Sequence, residues 1–190
     1  MPVITVGFDM ATKTGWAVKQ GDIILASGMQ DFSKRRGESN GIMFLRFRRW
    51  ALELLSNLPK KPIAVGYERA HFRGGAPTEI GVGLQTHLQG VCAELGIESI
   101  GVHTGTLKKF FCGGGKASKQ EMIKEAAIKI GRDPIDDNEA DSIAVACWTY
   151  NEFVYVRETN AEIHTSERPA QPPRHRTRIE SGIQRNRRGQ

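Results

Sequence analysis

The fold is decided by a stretch near the start of the chain, residues 3–18, which read VITVGFDMATKTGWAV. Residues 3–8 are mainly β-branched or aromatic and predict a strand, followed by a polar turn and by a second strand from Gly15. Asp9 therefore lies at the carboxyl end of the first strand, where α/β sheets usually place their chemistry. Asp is also a common turn residue, so this position alone fits a structural role as well as a functional one.

The residues that follow extend this stretch into a mixed sheet. Residues 23–28 predict a third strand after a tight turn, so the first three strands form an antiparallel meander. Apolar residues at helical spacing predict an amphipathic helix over about 44–58, and residues 63–67 predict a strand that ends on Glu68. Because a strand–helix–strand unit joins parallel neighbours, Asp9 and Glu68 are expected side by side at one sheet edge.

The second half of the chain predicts further helices around a fifth strand. Thr78 is the expected N-cap of a helix that runs to about Leu95, residues 97–102 predict the strand, and Ser118 is the expected cap of a later helix. A Gly-rich loop at 112–117 can hold phosphate, but it lacks the spacing of a nucleotide-binding P-loop. The helix from Thr78 contains glycines that indicate close packing on the sheet or contact with a second subunit: Gly81, Gly83 and Gly90.

The last predicted helix is small and apolar enough to be buried, and it carries Asp141 near its start. Acidic residues at helix N-termini often interact only with the helix dipole. That explanation serves Asp136, Asp137 and Glu139 better than it serves Asp141, because the buried face begins directly after Asp141. Asp141 is therefore a third candidate carboxylate.

The composition indicates one domain followed by a basic tail. The chain has 190 residues, a net charge of +6 and a pI near 9.4, which favours nucleic acid as a partner before an anionic membrane. Residues 157–190 are rich in Pro and Arg and predict a disordered segment. Their eight Arg and four Glu leave +4 there and only +2 on residues 1–156.

The cysteines and the hydropathy pattern favour a cytoplasmic protein. The three cysteines are far apart, which indicates reduced thiols and not a disulfide framework or a zinc site. No apolar run has membrane-spanning length and no signal peptide is evident. A membrane and a small-molecule substrate are not expected among the partners.

The three carboxylates together indicate a metal site. Asp9, Glu68 and Asp141 are hard oxygen ligands, which suit Mg²⁺ or Mn²⁺, whereas zinc would favour His or Cys. Two such ions about 4 Å apart can stabilise the attacking and leaving oxygens of a phosphoryl transfer. Any one of these carboxylates would be ordinary, so the argument depends on all three.

Residues 3–150 resemble the RuvC family of Holliday junction resolvases. Four segments occur in the family's order and spacing: GFDMATKTGWAV from Gly7, VGYER from Val65, GGGKASKQEM from Gly113 and NEADSIAVA from Asn138. The resemblance implies an α/β ribonuclease H-like fold, with a mixed five-stranded sheet flanked by helices. It also implies a homodimer and magnesium-dependent nicking of four-way DNA junctions at two symmetric positions.

The resemblance assigns roles to particular residues. Asp9, Glu68 and Asp141 match the metal-binding carboxylates, with two Mg²⁺ per active site and Mn²⁺ as a substitute. Lys119 matches a basic residue near the scissile phosphate. The family places an aromatic residue against junction bases where this chain has His71 or Phe72. The expected DNA contacts are His71, Phe72, Arg73, Lys108 and Lys116.

One position departs from the family pattern. The family has Asp or His three residues before the last Asp, and this chain has Asn138 there. Either Asn138 coordinates through its carbonyl oxygen, or Asp137 supplies the charge, since it lies four residues before Asp141 on the same helical face. With this departure and the Arg-rich tail, the chain resembles a phage-encoded member of the family. We therefore expect it in the cytoplasm of a bacterium or of a phage-infected host. We expect a nuclease domain at 1–156 and the tail at 157–190.

Three alternatives remain open from the sequence. Sugar kinases and actin-like ATPases also begin with a strand, an Asp and a Gly- and Thr-containing turn, but they need two such domains and a longer chain. A ribonuclease H-like nuclease could instead act on flaps, other branched DNA or RNA. A non-catalytic junction-binding protein is suggested by Asn138, although clustered carboxylates repel one another unless a metal ion lies between them.

Overall fold

Five strands form one mixed sheet in the computed structural model, which describes residues 2–70 and 75–156. The strand order is β3-β2-β1-β4-β5, with β1, β2 and β3 antiparallel and β1, β4 and β5 parallel. The predicted α/β class, the meander and the parallel crossover are confirmed. The strands are β1 Ile4–Asp9, β2 Lys13–Gln20, β3 Ile23–Asp31, β4 Ala64–Glu68 and β5 Glu98–Val102.

Helices cover both faces of the sheet. Alternation along β1 sends Ile4, Val6 and Phe8 into a core with α1 and α2. The opposite face packs against α3, α4 and α5. The helices are α1 Asn40–Ser56, α2 Gly75–Glu94, α3 Thr104–Cys112, α4 Lys119–Ile130 and α5 Asp137–Tyr150, followed by a π-helical segment, Asn151–Val156.

Short polar residues fix the starts of these helices. The predicted Ser118 cap is confirmed, and it forms a reciprocal capping box with Glu121 at the start of α4. Asp136 caps α5, accepting a hydrogen bond from the Glu139 amide at 2.9 Å. Ser39 caps α1, so that helix begins earlier than its apolar periodicity predicts.

The expected start of α2 at Thr78 is wrong, because the helix begins at Gly75 and Thr78 lies inside it. Pro77 explains the difference. A proline in the first turn loses no helical hydrogen bond, so the helix can begin before it.

The glycines of α2 do not pack on the sheet. A Cβ at Gly83 would overlap the ring of Phe44, which belongs to α1, so this glycine allows the two helices to approach closely. A Cβ at Gly90 would meet nothing within 4 Å among the residues described. The alternative of contact with a second subunit therefore stays a prediction.

Two predicted features lie outside the described residues. One is the loop with His71, Phe72 and Arg73, and the other is the basic tail at 157–190. Within residues 2–70 and 75–156, no helix has the length and apolar character needed to cross a membrane.

Three glycines seat helix α5 directly on the sheet. Added Cβ atoms would overlap the backbone of Asn138, the backbone of Ala146 and the side chain of Thr149, all in α5. The helix therefore approaches the backbone of β2, β1 and β4 closely at these three points. The glycines under these three points are Gly15, Gly7 and Gly66 respectively.

We predict that Gly7→Ala strongly destabilises the fold. Its Cβ would overlap backbone atoms of both Ser142 and Ala146, which cannot move without lifting α5, so a loss of about 3 kcal/mol or more is expected. Gly105→Ala is the control, because its Cβ fills open space at an exposed position of α3 and it should gain up to about 1 kcal/mol. Urea unfolding measures both, and equal effects of the two substitutions would contradict this account of α5.

Candidate functional site

Asp9 and Glu68 lie side by side at the carboxyl ends of two parallel strands. Phe8 pairs with Tyr67 in the β1–β4 ladder, so the next residues on each strand are neighbours. Alternation turns both carboxylates away from the α1 and α2 core and toward the α5 side. Both line a pocket of about 270 Å³ that also includes Met10 and Arg69. The expected juxtaposition is confirmed.

Helix α5 brings Asp141 into electrostatic range of this pair. Burial raises the pKa of Asp9 well above its usual range, and the charges of Asp141 and Glu68 raise it further. Burial, then Glu68 and Asp137, raise the pKa of Asp141 to about 7. The three carboxylates therefore share one region with too little positive charge to balance them.

Asp137, the alternative fourth ligand, is already paired with a cation. Lys119 in α4 forms an ion pair and a hydrogen bond with its carboxylate. That hydrogen bond lowers the pKa of Asp137 and raises the pKa of Lys119. Lys119 is thus brought to the site, as the sequence predicts, but its ammonium group faces a carboxylate.

Asn138 occupies the position that departs from the family pattern, and its contacts are local. Its side-chain amide donates to Asp136 at 3.0 Å, and its backbone carbonyl lies over Gly15. The choice between Asn138 and Asp137 as a fourth ligand therefore stays open.

The donor chemistry of the site fits a hard divalent cation. Its candidate ligands are carboxylate oxygens, and the raised pKa values of Asp9 and Asp141 reflect negative charge that a cation would compensate. Across residues 2–70 and 75–156, however, no three acidic, His or Cys side chains form a ready-made metal cage. Binding an ion would require these side chains to draw together.

Arg69 lines the acidic pocket, and Lys108 lies in electrostatic range of Asp141. Lys108 donates to the Ala117 carbonyl at 2.7 Å, which ties α3 to the loop before α4. The expected contact residue Lys116 is exposed in that loop. Arg69, which directly follows Glu68, donates to the Gly101 carbonyl at 3.1 Å and lies 3.3 Å from the ring nitrogen of His103.

Sequence reasoning missed two further residues. The Thr104 hydroxyl, at the start of α3, donates to Glu68 Oε1. Glu139 is fully buried and accepts hydrogen bonds from Ser27 at 2.6 Å and from Arg132 and the Ile135 amide at 2.5 Å. No local pattern signals either contact, because the partners Thr104–Glu68 and Ser27–Glu139 are 36 and 112 residues apart.

Neither a scan of protein-family models nor a search of curated proteins finds a match to this chain. Solved structures do match, and together with the sheet order they define the class as a ribonuclease H-like α/β fold.

Within that class, the chain has the fold of RuvC. The structure of Thermus thermophilus RuvC aligns with a TM-score of 0.67 and 20% identity, covering 83% of this chain and 97% of that one. The same protein in complex with a Holliday junction substrate aligns with a TM-score of 0.68 and 20% identity, covering 83% and 96%.

We predict that Asp141→Asn stabilises the metal-free protein at alkaline pH. A raised pKa means that the folded state keeps a proton that the unfolded state loses, so stability falls as pH rises from the ordinary carboxyl value to about 7. Removing this charge should therefore add about 1–2 kcal/mol at about pH 8 and much less at about pH 4.

Chemical unfolding in EDTA at the two pH values measures this effect. The control is Asp133→Asn, which changes an exposed carboxylate. A stabilisation by Asp141→Asn that is the same at both pH values, or that Asp133→Asn reproduces, would contradict the assigned repulsion.

Proposed function

We propose that this chain is a metal-dependent endonuclease that cuts four-way DNA junctions by paired, symmetric nicks. The observation that carries the proposal is the meeting of Asp9, Glu68 and Asp141 at one end of a RuvC-like sheet. Carboxylates that repel one another lower the stability of a fold unless a bound cation balances their charge. Such groups are therefore typical of sites that bind a cation or transfer a proton. Their position at the strand ends supports a catalytic role.

Branched DNA is the substrate class that the surroundings of the site support. The T. thermophilus RuvC that shares this fold has been solved with a Holliday junction substrate. The net charge of +6 suits a polyanion. Arg69 lines the acidic pocket and Lys116 is exposed, and both suit DNA phosphates. We include His71, Phe72 and Arg73 in this proposal as contacts to the junction.

In the proposed mechanism, Asp9, Glu68 and Asp141 would hold Mg²⁺, with Mn²⁺ as a substitute and two ions in the full site. Bound divalent ions supply Lewis-acid stabilisation of the attacking and leaving oxygens. The oxygen of water would form a bond to phosphorus as the water gives up a proton, the bond from phosphorus to the 3′ oxygen would break, and that oxygen would take up a proton, so that the protons balance. The products are a 5′-phosphate and a 3′-hydroxyl.

Lys119 would then stabilise the charge that develops on the phosphate. Its ammonium group pairs with Asp137 in the free protein, so this role requires it to exchange a carboxylate for a phosphate oxygen. Asp137 or Asn138 would complete the metal site.

Paired nicks need two sites, so we propose a homodimer. A dimer with two-fold symmetry presents equivalent sites to opposite strands of a four-way junction, which itself has approximate two-fold symmetry. Helix α2 is our candidate for the interface, since Gly90 leaves an open approach on its surface. We further propose that residues 1–156 form the nuclease domain and that 157–190 add sequence-independent DNA affinity through their arginines.

We predict that Asp9→Asn keeps junction binding and loses cleavage. Removing one carboxylate takes away a metal ligand and with it several kcal/mol of transition-state stabilisation. The cleavage rate should therefore fall by roughly a hundredfold or more. DNA affinity should be unchanged or slightly higher, because a negative charge is lost. Gel-shift titration and single-turnover cleavage of a labelled junction measure the two effects.

Asp133→Asn provides the control for that experiment and should bind and cut like the unmodified chain. An Asp9→Asn protein that nicks at the normal rate would exclude this site as the catalytic centre.

A further inference from the structure

A hydroxyl group holds one of the three site carboxylates. Thr104 donates to Glu68 Oε1, across from the end of β5 to the end of β4. In the described residues Glu68 is half-buried, and Thr104 is half-buried beside it. The contact is therefore partly shielded from water.

The backbone fixes the position from which Thr104 reaches Glu68. Glu68 pairs with Val102 in the parallel β4–β5 ladder, and the Arg69 amide extends that ladder by donating to the Val102 carbonyl at 2.9 Å. Thr104 follows Val102 by two residues and is the first residue of α3. A short, paired connection thus sets the distance between its hydroxyl and the carboxylate.

The Thr104 hydroxyl donates to Glu68 from the first turn of α3, one residue after the N-cap position. His103 is the N-cap residue of α3, and it makes no side-chain capping hydrogen bond. A Thr at a helix start commonly satisfies its own helix. Here its hydroxyl donates to a neighbouring strand instead.

The neutrality of this donor matters for the chemistry. Lys119 offsets part of the charge of Asp137 by ion pairing, whereas a hydroxyl orients a carboxylate without adding a compensating charge of its own. A hydrogen bond to one oxygen restricts the three rotatable bonds of a glutamate and so limits the directions in which its carboxylate can face. Donors of this kind, one shell outside a metal, typically change metal affinity by about 10- to 100-fold.

We propose that Thr104 is a positioning residue that orients Glu68 for a divalent cation. This inference rests on the proposed function only in assuming that Glu68 binds the ion. Helix α3 would then have two roles, since it packs on one side of the sheet and also positions Glu68.

Metal binding by the free full-length protein tests the inference without any DNA. Mn²⁺ titration followed by electron paramagnetic resonance counts bound ions even when binding is weak. Thr104→Val removes the hydroxyl and keeps the shape, and it should weaken Mn²⁺ binding by about 10- to 100-fold. Thr104→Ser restores a hydroxyl and should return the affinity most of the way to the original value.

Two further variants make the result interpretable. Thr106→Val makes the same chemical change at an exposed position of the same helix and should leave Mn²⁺ affinity unchanged. Glu68→Gln should abolish the binding that Thr104→Val weakens, which identifies the ion being measured. Urea unfolding verifies that each variant is folded.

The outcomes separate this inference from the nuclease proposal. A folded Thr104→Val protein with unchanged Mn²⁺ affinity overturns the inference, whether or not the chain cuts junctions. Weakened binding with rescue by Ser supports it even if no junction is cut, in which case only the nuclease proposal fails. Absence of any Glu68-dependent Mn²⁺ binding in the unmodified chain would also overturn it.

Discussion

The direct contact of helix α5 with the backbone of the sheet is the constraint on which the site depends. Glycines in three neighbouring strands let the helix approach the sheet backbone closely. The Thr5 hydroxyl in β1 donates to the Ala146 carbonyl at 3.2 Å, inside the buried contact. Because α5 packs closely on β1, Asp141 lies near the end of the strand that carries Asp9. A longer side chain at Gly7 would separate the two carboxylates as well as loosen the fold.

The carboxylates around the start of α5 fall into two groups that differ in their partners. Burial alone raises the pKa of Glu139, yet hydrogen bonds from Arg132, the Ile135 amide and Ser27 outweigh it, and the net pKa is lowered. This glutamate fastens the loop before α5 to strand β3 and has a structural role. It shows that the fold can supply a buried carboxylate with a full set of donors.

Asp9 and Asp141 contrast with that arrangement. Their pKa values are raised, because burial and like charges dominate the interactions that act on them. A fold that satisfies Glu139 so completely leaves these two groups with an unfavourable charge, which is typical of functional sites. The distinction between a structural and a functional carboxylate therefore lies in the partners and not in the burial.

Local patterns predicted the parts of this site that depend on strand alternation and on the parallel crossover. The pairing of Asp9 with Glu68 follows from those two rules, and the Ser118 cap follows from its position before an amphipathic run. The Thr104–Glu68 and Ser27–Glu139 contacts could not be predicted, because each depends on which elements become neighbours in three dimensions. The assigned metal and DNA roles, and the loop at 71–74, stay predictions.

The measurement that tests the central claim most directly is a comparison of cleavage substrates. A labelled synthetic four-way junction is incubated beside matched duplex, single-stranded, flap and RNA·DNA hybrid substrates, each with Mg²⁺ and with EDTA. The account predicts paired symmetric nicks in the junction alone, and only with the metal. Cleavage that favours flaps or hybrids, cleavage that persists in EDTA, or binding without cleavage would contradict it.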